Sequence, residues 1–101
     1  MKALSIRSPY AGQILSDEKK VEYRTWTTNY RGDLLVCCSQ SPKSGYSGKA
    51  VCIVELYKID EDPKYDEYRW HLRNVRPVKP FAVKGRLGIF EVELPKKGGP
   101  E

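Results

Sequence analysis

Along this chain, apolar positions alternate with polar ones far more often than they fall on a helical stripe. Lys2 to Ile6 sets Leu4 and Ile6 against Ala3 and Ser5, which predicts a strand. Ser8-Pro9 stops it, because proline suits the first turn of a helix and Ser8 can act as its N-cap. Tyr10, Ala11, Ile14 and Leu15 give one buried helical stripe, which Ser16-Asp17 ends within about two turns. Val21 to Trp26 predicts a second strand and Asn29 to Asp33 a turn. Leu34-Leu35-Val36-Cys37-Cys38 is a continuous apolar run, the pattern of a central strand covered on both faces.

Ser39 to Gly48 reads as a long polar loop with Tyr46 at its centre. Lys49 to Ile59 is predicted as the longest strand, β-branched at Val51, Ile53 and Val54. Glu55 breaks its pattern and faces either solvent or the Lys19 and Arg24 side. The acidic stretch from Asp60 to Glu67 predicts a short irregular or helical connection. Pro77 and Pro80 place the next segment at a sheet edge or in an extended crossing. Lys84-Gly85-Arg86-Leu87-Gly88 is a glycine-flanked turn, and Ile89 to Leu94 a closing strand. Residues 1–95 then form one domain, and 96–101 a flexible polar tail. With no β-α-β alternation, the expectation is an α+β, mainly β fold, a small mixed β-barrel of roughly five to six strands with one or two short helices.

A chain of 101 residues has room for one core and one cleft. Its net charge of +5 and pI near 9.2 favour a polyanionic partner, nucleic acid ahead of membrane. No apolar run approaches the ~18 residues of a membrane span. Met1-Lys2-Ala3-Leu4 opens a strand-like segment with no signal-peptide core behind it, so the expected location is cytoplasmic. The three cysteines, Cys37, Cys38 and Cys52, show no C-x-x-C spacing and read as reduced core residues. His71 stands alone, no second carboxylate has a metal-binding spacing, and no phosphate-loop motif is present. No metal and no cofactor are expected, and the sequence sets no oligomeric state.

Chemistry concentrates in Lys19-x-x-Glu22-x-Arg24. Strand alternation points Glu22 and Arg24 the same way, and Lys19, at the preceding turn, can swing to their side. An acid between two cations is either an ordinary solvated cluster or the mouth of a site that Tyr23 helps to close. From Arg69 to Phe90 there is no acid, while Arg69, Arg73, Arg76, Lys79, Lys84 and Arg86 interleave with Trp70, His71 and Phe81. That composition suits a nucleic-acid surface, cations for phosphates and rings for unstacked bases, or equally a solvated strand pair with Trp70 in the core.

Leu4-Ser5-Ile6-Arg7-Ser8-Pro9-Tyr10-Ala11, Lys19-x-x-Glu22-x-Arg24, Trp70 and Pro80-x-x-x-Lys84-Gly85-x-x-Gly88-Ile89-Phe90 together resemble the ASCH domain of the PUA-like barrels over nearly the whole chain. The family motif G-x-K-x-x-E-x-R lands on Lys19, Glu22 and Arg24, with Asp17 in place of the glycine. The resemblance implies a PUA-like barrel whose cleft is lined by the early helix start, the motif strand and the far basic segment. It also implies RNA-related work.

Three functions fit that implication. Some single-domain ASCH proteins deacetylate N4-acetylcytidine with a Lys-x-x-Thr pair; here Glu22 stands where the nucleophile would be and can serve only as a general base on water. A metal-independent ribonuclease would share proton transfers among Lys19, Glu22 and Tyr10, with Arg7, Arg24 and Lys84 on the phosphate. A non-catalytic pocket for RNA or a modified nucleoside needs the fewest groups, Glu22 accepting from a base edge and Tyr10 or Trp70 stacking on it. Binding is the primary expectation. Its cleft centres on Lys19, Glu22 and Arg24, with Arg7, Ser8, Trp70, Arg73 and Lys84 on the RNA; hydrolysis is the alternative, with Lys19, Glu22, Arg24 and Tyr10 as the candidate catalytic residues.

Overall fold

The computed structural model describes residues 1–95; the tail expected over 96–101 lies outside the described residues. Six strands and one helix follow in the order β1 (Lys2–Ile6), α1 (Tyr10–Leu15), β2 (Val21–Arg24), β3 (Gly32–Cys38), β4 (Lys49–Asp62), β5 (Glu67–Ala82) and β6 (Ile89–Glu91). They form one mixed sheet in the order β2-β5-β4-β3-β1-β6. Among the described residues only β1 and β3 run parallel; every other pairing is antiparallel. The mainly β fold with a short helix agrees with the sequence, and among the described residues the helix is single.

The apolar run of β3 occupies the interior of the sheet because both its faces are covered. Leu34, Val36 and Cys38 join Leu4, Ile6, Val54, Leu56 and Trp70 in one cluster, into which α1 sends Ala11 and Ile14. Leu35 and Cys37 point the other way, into a smaller cluster with Ala3, Ile53, Val78 and Phe90. Each fully buried aliphatic side chain contributes roughly 1.5–3 kcal/mol.

The long strands β4 and β5 cannot run straight. Their ladder shifts register between Ala50 and Cys52, Ile53 and Glu55, and Leu56 and Lys58, and such bulges bend and twist a strand pair. Asn74 sits at φ 59, a left-handed conformation that asparagine tolerates. These irregularities curl the sheet until β2, at one end of the strand order, approaches β1 near the other. Pro77 and Pro80 lie where β5 has β4 on one side and, beyond His71, no β2 on the other, the edge position their missing amides require.

The acidic stretch is not a separate connection. Residues Asp60–Asp62 and Glu67 extend β4 and β5 into a hairpin closed by a short turn at 63–66, with Asp66 at φ 53. Carboxylates opposite arginines make this possible: Arg69 Nε donates to Asp60 Oδ1 at 2.7 Å. Nor does Ser8 cap the helix. Pro9 occupies the N-cap position and makes no side-chain cap hydrogen bond, so Ser8 lies one residue too early to reach the first-turn amides.

Candidate functional site

The turn from α1 into β2 decides where Lys19 stands. After Leu15 the chain reverses through Asp17 at φ 66, the left-handed conformation that favours glycine at a helix end. Asp17 therefore takes the backbone role of the glycine in the motif, since a short polar side chain tolerates it. The amides of Glu18 and Lys19 both donate to the Gln13 carbonyl, at 2.9 and 3.0 Å, and Leu72 N donates to the Lys20 carbonyl. Lys19 is thus tied to the helix end on one side and to β5 on the other.

Glu22 follows on β2, opposite Trp70 of β5. It is the buried charged residue of the described chain, 7% exposed. Arg24 Nη2 lies 3.0 Å from Glu22 Oε2, and Lys19 Nζ 3.6 Å from Oε1. The same Arg24 nitrogen donates to the Ser5 carbonyl of β1 at 2.8 Å. Lys19 Nζ also sits 5.0 Å from the ring centre of Tyr10 and 5.3 Å from that of Tyr23, within cation–π range.

These side chains line one pocket of about 510 Å³ with Ser5, Arg7, Tyr10, Lys19, Glu22, Tyr23 and Arg24 on its wall, a volume suited to a small ligand. Three cations share this wall with one carboxylate, and two of them, Lys19 and Arg24, meet it. Two buried polar atoms of the wall, Ser5 Oγ and Arg24 Nε, have no hydrogen-bond partner, and such atoms are uncommon enough to call for a reason. Tyr10 and Tyr23 stay about half exposed at the rim, at 47% and 46%.

The fold brings Lys19, Glu22, Arg24, Tyr10 and Arg7 together and leaves four candidates elsewhere. Trp70 is fully buried, edge-on to Trp26 with ring centres 4.8 Å apart, its Nε1 donating to the Trp26 carbonyl at 3.3 Å. It is a core residue beneath Glu22, without a face to offer a base. Arg73 pairs with Glu55 through two hydrogen bonds of 3.1 Å and covers the ring of Tyr57. Glu55 accordingly faces Arg73 and not Lys19. Ser8 is absent from the wall, and Lys84 lines a neighbouring pocket.

Much of the expected basic surface is neutralised across strands. Arg69 meets Asp60, Arg73 meets Glu55 and Arg76 meets Asp33. Arg69 and His71 together hold the Asp60 carboxyl down at about 2, and Arg76 and Arg73 likewise lower Asp33 and Glu55. Burial pushes the Cys37 and Cys52 thiols up to about 12, which removes them as nucleophiles at neutral pH. Among the described residues no three His, Cys, Asp or Glu side chains converge on a metal-sized site, and no helix is long and apolar enough to cross a membrane.

The family model for the ASCH domain matches residues 4–82. The chain belongs to the ASCH domain family. Crystal structures of ASCH from Zymomonas mobilis share its architecture. The unmodified protein superposes with a TM-score of 0.70 at 11% identity, covering 91% of this chain and 87% of that one. A tyrosine-to-phenylalanine mutant of it gives 0.69 at 12% identity, covering 91% and 89%. At such identities the shared property is the fold. None of the curated proteins matches this ASCH domain.

Sequence reasoning missed Ser5 as a wall residue. Ser5 carried a faint signal, a hydroxyl inside an otherwise apolar strand. Tyr23 was expected at the mouth of the site, and the structure adds its contact with Lys19 at the rim.

Proposed function

We propose that the pocket binds RNA or a modified nucleoside, with Glu22 reading the edge of one base. The observation that carries this is a buried carboxylate at the floor of a cationic pocket. A general phosphate site gains nothing from an acid, which repels the ligand and costs desolvation. A base edge gains a hydrogen-bond acceptor, and Glu22 Oε1 meets Lys19 only at 3.6 Å, beyond hydrogen-bond length. Tyr10 and Tyr23 flank Lys19 at the rim and supply aromatic faces for the base, the role expected of Trp70. Arg7 and Lys19 remain for phosphate or ribose oxygens.

A hydrolytic reading shares these groups. The spacing of Lys19 Nζ, Glu22 and the Tyr10 ring favours it, since a cation, a carboxylate and a phenol share one small volume. In deacetylation, Glu22 would take a proton from water as it attacks the acetyl carbonyl, Lys19 and Arg24 would hold the oxyanion, and collapse of the intermediate would break the bond to N4, which takes the proton back from Glu22 as acetate leaves. In RNA cleavage, Glu22 would take the 2′-hydroxyl proton while Lys19 or Tyr10 protonates the departing 5′-oxygen.

The deciding experiment incubates the protein with N4-acetylcytidine and separately with mixed single-stranded RNA, beside Lys19→Ala and Glu22→Gln, with products read chromatographically and affinity by fluorescence anisotropy. Binding lost in both variants without product supports the pocket reading. Product lost in both establishes the hydrolase. Neither binding nor product in the unaltered protein overturns both.

A further inference from the structure

A second pocket, of about 540 Å³, adjoins the first and shares Ser5 with it. Ser39, Gln40, Lys84, Arg86 and Leu87 are on its wall, and no carboxylate is. Lys84 and Arg86, like Arg7 in the first pocket, form no ion pair among the described residues. This separates them from Arg69, Arg73 and Arg76, whose charge is spent on neighbours.

The turn that carries them is set against β1. A Cβ on Gly85 would lie 2.8 Å from Ser5 Oγ, so the backbone packs onto the residue that joins the two pockets, and a side chain there would have to displace that hydroxyl. Leu87 stands at the crest, fully exposed, an apolar body beside two cations. On the other side of the same turn, Lys84 and Arg86 border a hollow lined by Glu91 and Glu93. Glu91 is paired with Lys2 there, and Glu93 disfavours an anion, which leaves the Ser5 side as the open one.

We propose that the two pockets form one trough and that the ligand is a single strand of RNA, longer than one nucleotide. One base enters at Glu22, the chain passes Ser5 between Arg7 and the 83–88 turn, and neighbouring phosphates lie on Lys84 and Arg86. Leu87 packs against an adjacent unstacked base. This rests on the pocket reading above and names its ligand: an oligonucleotide, not a free nucleoside. The cations give affinity without sequence preference, and Glu22 gives the preference.

The test compares single ribonucleosides, including N4-acetylcytidine, with labelled single-stranded RNA of roughly eight nucleotides, with and without N4-acetylcytidine, across a salt titration. The RNA should bind at least tenfold more tightly than any nucleoside. Lys84→Ala with Arg86→Ala should lower RNA affinity at least tenfold and reduce the salt slope by about 1.4, two phosphate contacts at about 0.7 each, leaving nucleoside affinity unchanged. Leu87→Ala, at an exposed site that cannot unfold the domain, should weaken RNA alone. RNA binding that depends on Glu22 but ignores Lys84, Arg86 and Leu87 overturns the trough and leaves the pocket reading standing. No RNA or nucleoside binding at all overturns both.

Discussion

Glu22→Gln separates what the buried carboxylate does for the fold from what it does for a ligand. At an effective dielectric of 20, its contacts with Arg24 and Lys19 at 3.0 and 3.6 Å each correspond to roughly 5 kcal/mol of attraction. Desolvation of three charges offsets most of that. Glutamine keeps the shape and an acceptor for Arg24, so the loss falls below the roughly 3–5 kcal/mol of removing one partner outright. We expect about 2 kcal/mol, a drop in Tm of about 8–16 °C for a domain of this size. A domain stable by about 5–15 kcal/mol stays folded through that loss. Urea unfolding followed by the fluorescence of the Trp26–Trp70 pair measures it directly. Adding Lys19→Met to Glu22→Gln removes a cation left without a counter-charge and should restore about 1 kcal/mol. RNA affinity should fall at least tenfold in the single variant and stay low in the double. Unchanged affinity in Glu22→Gln would refute the base-reading role, and a stability loss under about 0.5 kcal/mol would refute the ion-pair accounting.

Three further outcomes follow from the structure. The Asp60 carboxyl is held at about 2 by Arg69 and then His71, against roughly 3.9 unfolded; its contribution is complete above that unfolded value and lost as pH falls toward 2. Acid unfolding should therefore steepen below about pH 4, and Asp60→Asn should flatten that limb; an identical acid limb counts against the pairing. Asp17→Gly relieves a left-handed aspartate and should raise stability by about 0.5 kcal/mol after the entropy of glycine is charged, with the opposite sign refuting the turn assignment. Cys37 and Cys52, pushed up to about 12 by burial, should resist iodoacetamide at pH 8 in the native protein and react in urea; rapid native alkylation of either would contradict their place in the core.

What the sequence disclosed was governed by how local its cause is. Alternation in Lys2 to Ile6, the helical stripe to Leu15 and the apolar run of β3 are short-range patterns, and all three appear where they were expected. The trio of Lys19, Glu22 and Arg24 was legible for the same reason, six positions of turn and strand. Trp70 and Arg73 were misplaced because their surroundings depend on pairing across strands far apart in sequence. Arg73 is answered by Glu55 and Arg76 by Asp33, and no reading of a basic run shows the acids that another strand will bring to it. The hairpin at Asp60 to Glu67 was hidden likewise, since its carboxylates become acceptable in a strand only opposite arginine.

The strand order begins at β2, and β1 lies near its far end, yet no backbone ladder joins the two. The direct bond across that gap is the one from Arg24 to the Ser5 carbonyl. The site therefore occupies the seam of a barrel that is fastened, not woven. A woven wall is held by several backbone bonds, whereas this one is held by the guanidinium contact and by the core packed beneath it. Arg24 spans it, and because the same nitrogen also meets Glu22, the closure of the wall and the placing of the buried carboxylate rest on one guanidinium.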